Sequence, residues 1–350
     1  TLMHLIFIDP LAWMGLRFCY GLAYITLMTV IESWLNSQAA QHDRGKIFGF
    51  YMVVNLGALA AAQQMLHLDT PEGFLLFALV SILISWAILP LTLTRRNQPK
   101  IPAERPKSSL KTLLRIAPLS VAGAALSGLA MGAFWAMTPI YGTRLGMDVG
   151  GIALLMTLTI IGGAVLQIPI GRYSDKHDRP KIMTWVVMMA AGLTILMAVA
   201  PSQTLLLSVF FIWGGLAFSI YPLSVAQLID QLHPDEIVSG SSDMLVLHGA
   251  GCAFAPVLSG SLMTGLGAHG LPVYMGLVLL LLGGYTLYRR RRVVDLVSGQ
   301  NAHFEPMVQS SAQALSMVFD QPQRDLFDDP SFYGEEERKR IITSLRQSGS

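Results

Sequence analysis

Charge, cysteine and catalytic patterning are all scarce in this chain, and each scarcity excludes something. Only 13% of its 350 residues are Asp, Glu, Lys or Arg, about half the share of an ordinary soluble domain. The formal net charge of +2 is confined to short stretches between apolar runs, so no broad basic surface for nucleic acid is implied. Cys19 and Cys252 each lie inside an apolar run without a close Cys or His. Neither a disulfide framework nor a zinc site is therefore expected, and both read as small buried apolar residues. There is no HExxH, no Gly-rich loop followed by Lys and no nucleophile elbow, and the acids and histidines are spread over separate loops. No catalytic residue, metal or cofactor is expected. Also absent are an initiator Met and a signal-peptide pattern, and the sequence reads as though an upstream portion were missing.

What the chain has is hydrophobic sequence, 53% of its residues, with a mean hydropathy of +0.52. After a partial run ending near Ile8, apolar runs cover 11–36, 47–66, 74–94, 115–138, 148–170, 182–200, 204–229, 243–266 and 271–288. Each approaches the roughly 20 residues that take a helix across a hydrocarbon core. They are continuously apolar instead of alternating, which favours helices over a strand barrel. The expected fold is an all-α, polytopic membrane helix bundle.

The loops set an orientation. One alternate set carries Arg44 and Lys46, then Arg95, Arg96, Lys100, Arg105, Lys107 and Lys111, then Arg172, Lys176, Arg179 and Lys181, then the arginines of 289–292. The other set carries only Arg144. Basic loops accumulate on the cytoplasmic side, which puts the C-terminus inside. Loop 230–242 is expected on that same side, yet it holds Asp230, Asp235 and Glu236 and no Lys or Arg, so it suits pairing with a basic neighbour.

An internal repeat is also visible. Gly21-Leu22-Ala23-Tyr24 recurs as Gly215-Leu216-Ala217-Phe218, an offset of 194 that also carries Gly57 onto Gly251. Two similar six-helix halves follow. Completing the first half would take roughly 80 to 90 upstream residues, holding two helices and most of a third. The chain then divides into the remainder of an N-terminal bundle at 1–94, a cytoplasmic linker at 95–114 with Pro99, Pro102 and Pro106, a C-terminal six-helix bundle at 115–292 and a polar cytoplasmic tail at 293–350. Within the tail, 311–319 and 335–345 carry short helical patterns.

The stretch 162–182 is a charged hairpin between two of these spans. Gly171 suits a left-handed helix end, and Asp175 suits acceptance of amides at a helix N-terminus. Gln167, Pro169, Gly171, Ser174, Asp175, Lys176, Arg179 and Lys181 together resemble the loop signature of the major facilitator superfamily in its second-half copy. His177 and Asp178 stand where that family usually has Gly. Arg17 and Gly21 resemble its Arg-x-x-x-Gly pattern, and the order of elements, with Glu32 closing the 11–36 run, is most similar to the YcaD-like branch. The resemblance covers about residues 1–290.

Such a resemblance implies alternating access: two bundles rock about a midplane cavity in a bacterial-type inner membrane, carrying a small solute as a monomer. It further implies a cytoplasmic latch of Gly171, Asp175, Lys176, Arg179, Asp230 and Glu32. Asp175 would cap the span beginning near Ile47, and Arg179 or Lys176 would pair with Asp230 or, failing that, Asp235. Glu32 would serve the equivalent first-half hairpin. The plainer alternative is that the hairpin charges only set topology.

Two residues are candidates for coupling. Arg17 lies about 9 Å inside the outer end of its helix, where a charge costs roughly up to 3 kcal/mol. It either snorkels to the interface or shares a cavity face with Tyr20, Gly21 and Tyr24. His248 titrates in a useful range, with interhelical hydrogen bonding as the alternative; Glu32 and Asp243 are the other titratable groups near inner ends. The cavity candidates are Tyr20, Tyr24, Asn55, Trp135, Gln167, Tyr221 and Gln227, polar or aromatic groups inside spans. Gly249, Gly251, Ala255, Ser259 and Gly260, with Pro256, suit close helix packing. Run 47–66 has no proline, against the signature of some antiporters of that superfamily. The leading expectation is a proton-coupled secondary transporter. A facilitator, a polytopic membrane enzyme and a non-transporting scaffold stand behind it.

Overall fold

A computed structural model describes residues 2–38, 44–70, 73–93, 110–232 and 236–292. Among them the chain forms eleven α-helices and no strand. These are α1 (Met3–Ile6), α2 (Pro10–Gln38), α3 (Arg44–Gln64), α4 (Phe74–Leu93), α5 (Leu110–Ile116), α6 (Pro118–Arg144), α7 (Val149–Asp175), α8 (Arg179–Val199), α9 (Gln203–Ile229), α10 (Ile237–Leu266) and α11 (Gly270–Arg292). Six segments among the described residues are long and apolar enough to cross a membrane, and one of them, Ser239–Arg289, takes in most of α10 and α11. Most of linker 95–114 and all of tail 293–350, with its two helical patterns, lie outside the described residues, as does Asp235.

Local chemistry explains the helix ends. Asp148, Asp178 and Ser202 precede α7, α8 and α9, and each accepts a backbone N–H three residues on, from Gly151, Lys181 and Leu205 at 3.1, 3.2 and 3.3 Å. Such caps contribute about 1 kcal/mol each. Gly146 and Gly267 follow α6 and α10 with φ of 76° and 65°, the left-handed backbone that glycine adopts without steric cost.

Several expected boundaries move. The run 115–138 divides before Pro118, whose missing N–H suits a helix start, and α6 then continues through Pro139 to Arg144. An interior proline is tolerated in a membrane helix because neighbours can satisfy the freed carbonyl. Helix α7 likewise runs past 170 to Asp175, so the expected helix end at Gly171 is wrong. Gly171 is helical and buried, and its carbonyl accepts the Ser174 hydroxyl at 2.8 Å. At the other side of the acidic loop α10 begins at Ile237, which places Asp243 inside that helix.

Small residues set the packing of the second half. Gly162 lies against the Phe211 carbonyl and Gly214 against that of Thr159, bringing α7 and α9 together backbone to backbone. Gly128 and Gly132 on α6 meet the backbone of His248 and Cys252, and Gly251 on α10 meets that of Ala125 and Gly128. Lipid tails are as apolar as leucine, so helices associate through this close approach and not through apolar burial alone. Phe134, Phe210, Trp213 and Phe218 fill the centre, Phe134 lying 5.8 Å from Trp213 and 6.0 Å from Phe218 between ring centroids.

Of the first three long helices, α3 lies along α7. At the end remote from the charged turn, Gln64 Nε2 donates to Thr157 Oγ1 at 2.5 Å, and Thr157 Oγ1 donates to the Ala60 carbonyl at 3.3 Å. Helices α2 and α4 keep most of their apolar side chains exposed, including Phe18, Ile25, Leu75 and Trp86.

Candidate transport cavity and ionic cluster

Positions spaced four apart on one helix stack along one face. Tyr24, Met28 and Glu32 on α2 and Tyr51, Asn55 and Leu59 on α3 follow that rule, and the structure sets both rows around a single cavity of about 380 Å³. The opposite wall comes from α6 (Gly132, Trp135 and Ala136) and α10 (Cys252 and Pro256). Most of these residues sit near mid-helix, with Glu32 towards the end of α2. The Tyr51 hydroxyl donates to Glu32 Oε1 at 2.9 Å, and Glu32 is only 1% exposed.

Of the seven cavity candidates, Tyr24, Asn55 and Trp135 line this one cavity and the other four do not. Tyr20 stacks on Tyr24 at 6.2 Å but does not line the cavity. Gln167 is buried between α7 and α9, and its Nε2 donates to the Phe218 carbonyl at 3.1 Å. That carbonyl is the one whose helical partner Pro222 removes, so Gln167 answers a backbone need. Tyr221 and Gln227 are buried within α9. His248 packs its ring 4.5 Å from Tyr221, and its Nδ1 lies 3.1 Å from Ser127 Oγ and 3.3 Å from the Ala124 carbonyl. It is one turn along α10 from the cavity-lining Cys252, in the interhelical seam. Arg17 is exposed on α2 and outside the cavity lining.

Sequence reasoning missed Tyr51, Met28 and Cys252 in the lining. The spacing 24, 28, 32 and 51, 55, 59 marks the lining face, and Arg17 lies two turns before Tyr24, outside it.

The second cluster sits at the charged turn. Arg179, 2% exposed, lies with Nη2 3.2 Å from Asp175 Oδ1 and Nε 3.0 Å from Asp230 Oδ2. Of the two cations considered for Asp230, Arg179 is the one placed on it; Lys176 is exposed at the end of α7. The planar guanidinium suits two carboxylates approaching from different helices. Asp178, not Asp175, caps α8. The α3 cap expected of Asp175 falls beside 39–43, outside the described residues. Glu32 corrects an expectation: the 194-residue offset carries Asp230 onto Asn36, so Glu32 sits one turn deeper than a latch residue and faces the cavity. Among the described residues no group of three or more His, Cys, Asp or Glu is placed to hold a metal ion.

The family model described as Major Facilitator Superfamily matches residues 1–247 and 121–343. This chain belongs to that superfamily. Within it, the chain is similar to "Uncharacterized MFS-type transporter YcaD" of Escherichia fergusonii, 26% identical over 253 residues, covering 72% of this chain and 65% of the relative. The protein of the same name from Salmonella typhimurium is 27% identical over 254 residues, with the same coverage. Both bear out the YcaD-like resemblance, and the chain spans about 65% of the length of these relatives. No solved structure matches it. Membership and spans together make this superfamily chain a multi-pass helical protein of a bacterial inner membrane.

Proposed function

We propose that this superfamily member carries a small solute by alternating access, as a single chain with a cytoplasmic C-terminus. The observation behind this is the cavity itself. One wall comes from α2 and α3, the other from α6 and α10, so rocking one set against the other changes which side of the membrane reaches it. The charged turn supports the same reading: basic residues there fix topology, whereas Arg179 held between Asp175 and Asp230 ties α8 to the ends of α7 and α9 and so braces the turn from which Asp175 would reach the start of α3 as the latch. We assign coupling to Glu32 in preference to Arg17 or His248. A carboxylate in the cavity wall can exchange a proton with the pathway, while His248 is taken up by interhelical bonds.

Cys252 provides the test, because it lines the cavity. In a Cys19→Ser background reconstituted into vesicles, a membrane-impermeant maleimide should reach Cys252 from either face. Asp230→Asn should shift labelling towards the cytoplasmic face. Labelling confined to one face in both proteins would sink alternating access. A facilitator differs in one respect: net flux would proceed without a proton gradient, and Glu32→Gln would leave it unchanged.

A further inference from the structure

Helix α5 parts from α6 at Ala117, whose φ of −128° and ψ of 58° leave the helical region just before Pro118. Its side chains sort by direction, because successive residues of a helix turn by about 100°. Leu113 is buried with Leu228 at the end of α9 and Met244 near the start of α10. That contact holds α5 at the rim of the second bundle, level with the ends of the spans and on the side of the charged turn. Lys111 and Arg115 fall opposite Leu113, Leu110 and Leu114 on one flank, and Thr112 on the other. All five are exposed, the two leucines by 41% and 50%; Ile116, also exposed, lies at the bend itself. Among the described residues the ion pairs are Arg179 with Asp175 and Asp230, and Lys181 with Asp178, so neither cation of α5 has a carboxylate.

These directions conflict in any uniform surrounding. Water would leave two adjacent leucines wet, and hydrocarbon would strand two cations. The layer between them suits both, with an apolar flank turned to the acyl chains and charges turned to the headgroups. Topology accounts for cations on this side of the membrane and not for the leucines beside them. A leaflet with anionic headgroups adds about fivefold in attachment for each cation near its surface.

We propose that α5 is a membrane-surface anchor for the start of the second bundle. Lys111 and Arg115 engage the phosphates of anionic phospholipid, and Leu110 and Leu114 enter the acyl boundary beneath them. The proposal is independent of the cavity and of what the protein carries.

A fluorophore placed by maleimide chemistry tests it, on the full chain carrying Cys19→Ser and Cys252→Ser, with either Leu114→Cys or Thr112→Cys. Nanodiscs are made of phosphatidylcholine alone or mixed equally with phosphatidylglycerol, each with a lipid bearing a nitroxide quencher high on its acyl chain. In the mixed discs the dye at 114 should be quenched at least about twofold more than in phosphatidylcholine, and more than the dye at 112 in either. Lys111→Gln with Arg115→Gln, or salt raised to about 0.5 M, should bring the signal at 114 down to its phosphatidylcholine value. Lys176→Gln, a basic change at the neighbouring turn, should leave it unchanged. Equal quenching in both lipids, or no loss in a double variant that melts like the parent, would overturn the anionic contact. Equal quenching at 112 and 114 would overturn the assignment of flanks. A blue-shifted dye at 114 that no lipid quencher reaches would show protein covering this flank, and the anchor would fall.

Discussion

Set the two repeats side by side with the 194-residue offset, and what they share is a glycine pattern, while both packing and chemistry differ between them. Gly21 and Gly57 fall on Gly215 and Gly251. In the second half those glycines are closely packed, Gly215 against Leu166 and Gly251 against the backbone of Ala125 and Gly128; a Cβ at Gly21 or Gly57 would meet nothing within 4 Å. The polar wall is not repeated at all. Tyr24, Glu32, Tyr51 and Asn55 fall on Phe218, Ala226, Leu245 and Gly249. Close helix approach holds the second copy at these glycines, whereas the first copy carries the polar side chains that line the cavity.

The largest expected effect tests the half with the buried ion cluster. Asp230→Ala leaves Arg179 with one carboxylate in a buried site, and about 3 kcal/mol of stability should go, visible as a lower melting midpoint in detergent. Next come the paired glycines, where the sign itself separates the halves. Gly251→Ala should cost about 2 kcal/mol by forcing α6 from α10, and Gly57→Ala should gain about 0.5 kcal/mol from helix propensity. Equal losses at both positions would break the comparison.

Tyr51→Phe removes the hydroxyl that Glu32 accepts, a loss of about 1 kcal/mol, together with a measurable change in Cys252 labelling. Its first-to-second-half counterpart, Leu245, has no such bond to lose. Smallest is Lys181→Ala. The Lys181–Asp178 pair at 3.2 Å is half exposed on both sides, so the melting midpoint should move by no more than about 0.5 kcal/mol equivalent.

The fold was legible because apolar run length and loop charge each answer to a single physical constraint, bilayer thickness and topology. The errors fell where a constraint was local. Gly171 reads as a helix end in sequence but is carried through by α7, and the run given as 115–138 continues through Pro139 to Arg144. That the acidic loop after α9 would meet the basic turn was legible from charge alone, whereas the choice of Arg179 and Asp230 came from the family resemblance and is seen in the structure. The cavity was only partly so. Tyr24, Asn55 and Trp135 stood out as polar or aromatic residues in spans, yet Gln167 and His248 looked the same and serve neighbouring helices instead. Distinguishing the two kinds requires knowing which carbonyls the prolines release, and that depends on which helix lies alongside.

The connections in the second half leave little slack. Residues 145–148, 176–178, 200–202 and 267–269 are all that join α6 to α7, α7 to α8, α8 to α9 and α10 to α11, and Gly146 and Gly267 fold two of these back sharply. Neighbouring rods are thus leashed at their tips. Any stroke within these four connected pairs has to be taken up along the rods themselves, where Pro139, Pro169, Pro222 and Pro256 interrupt the backbone ladder.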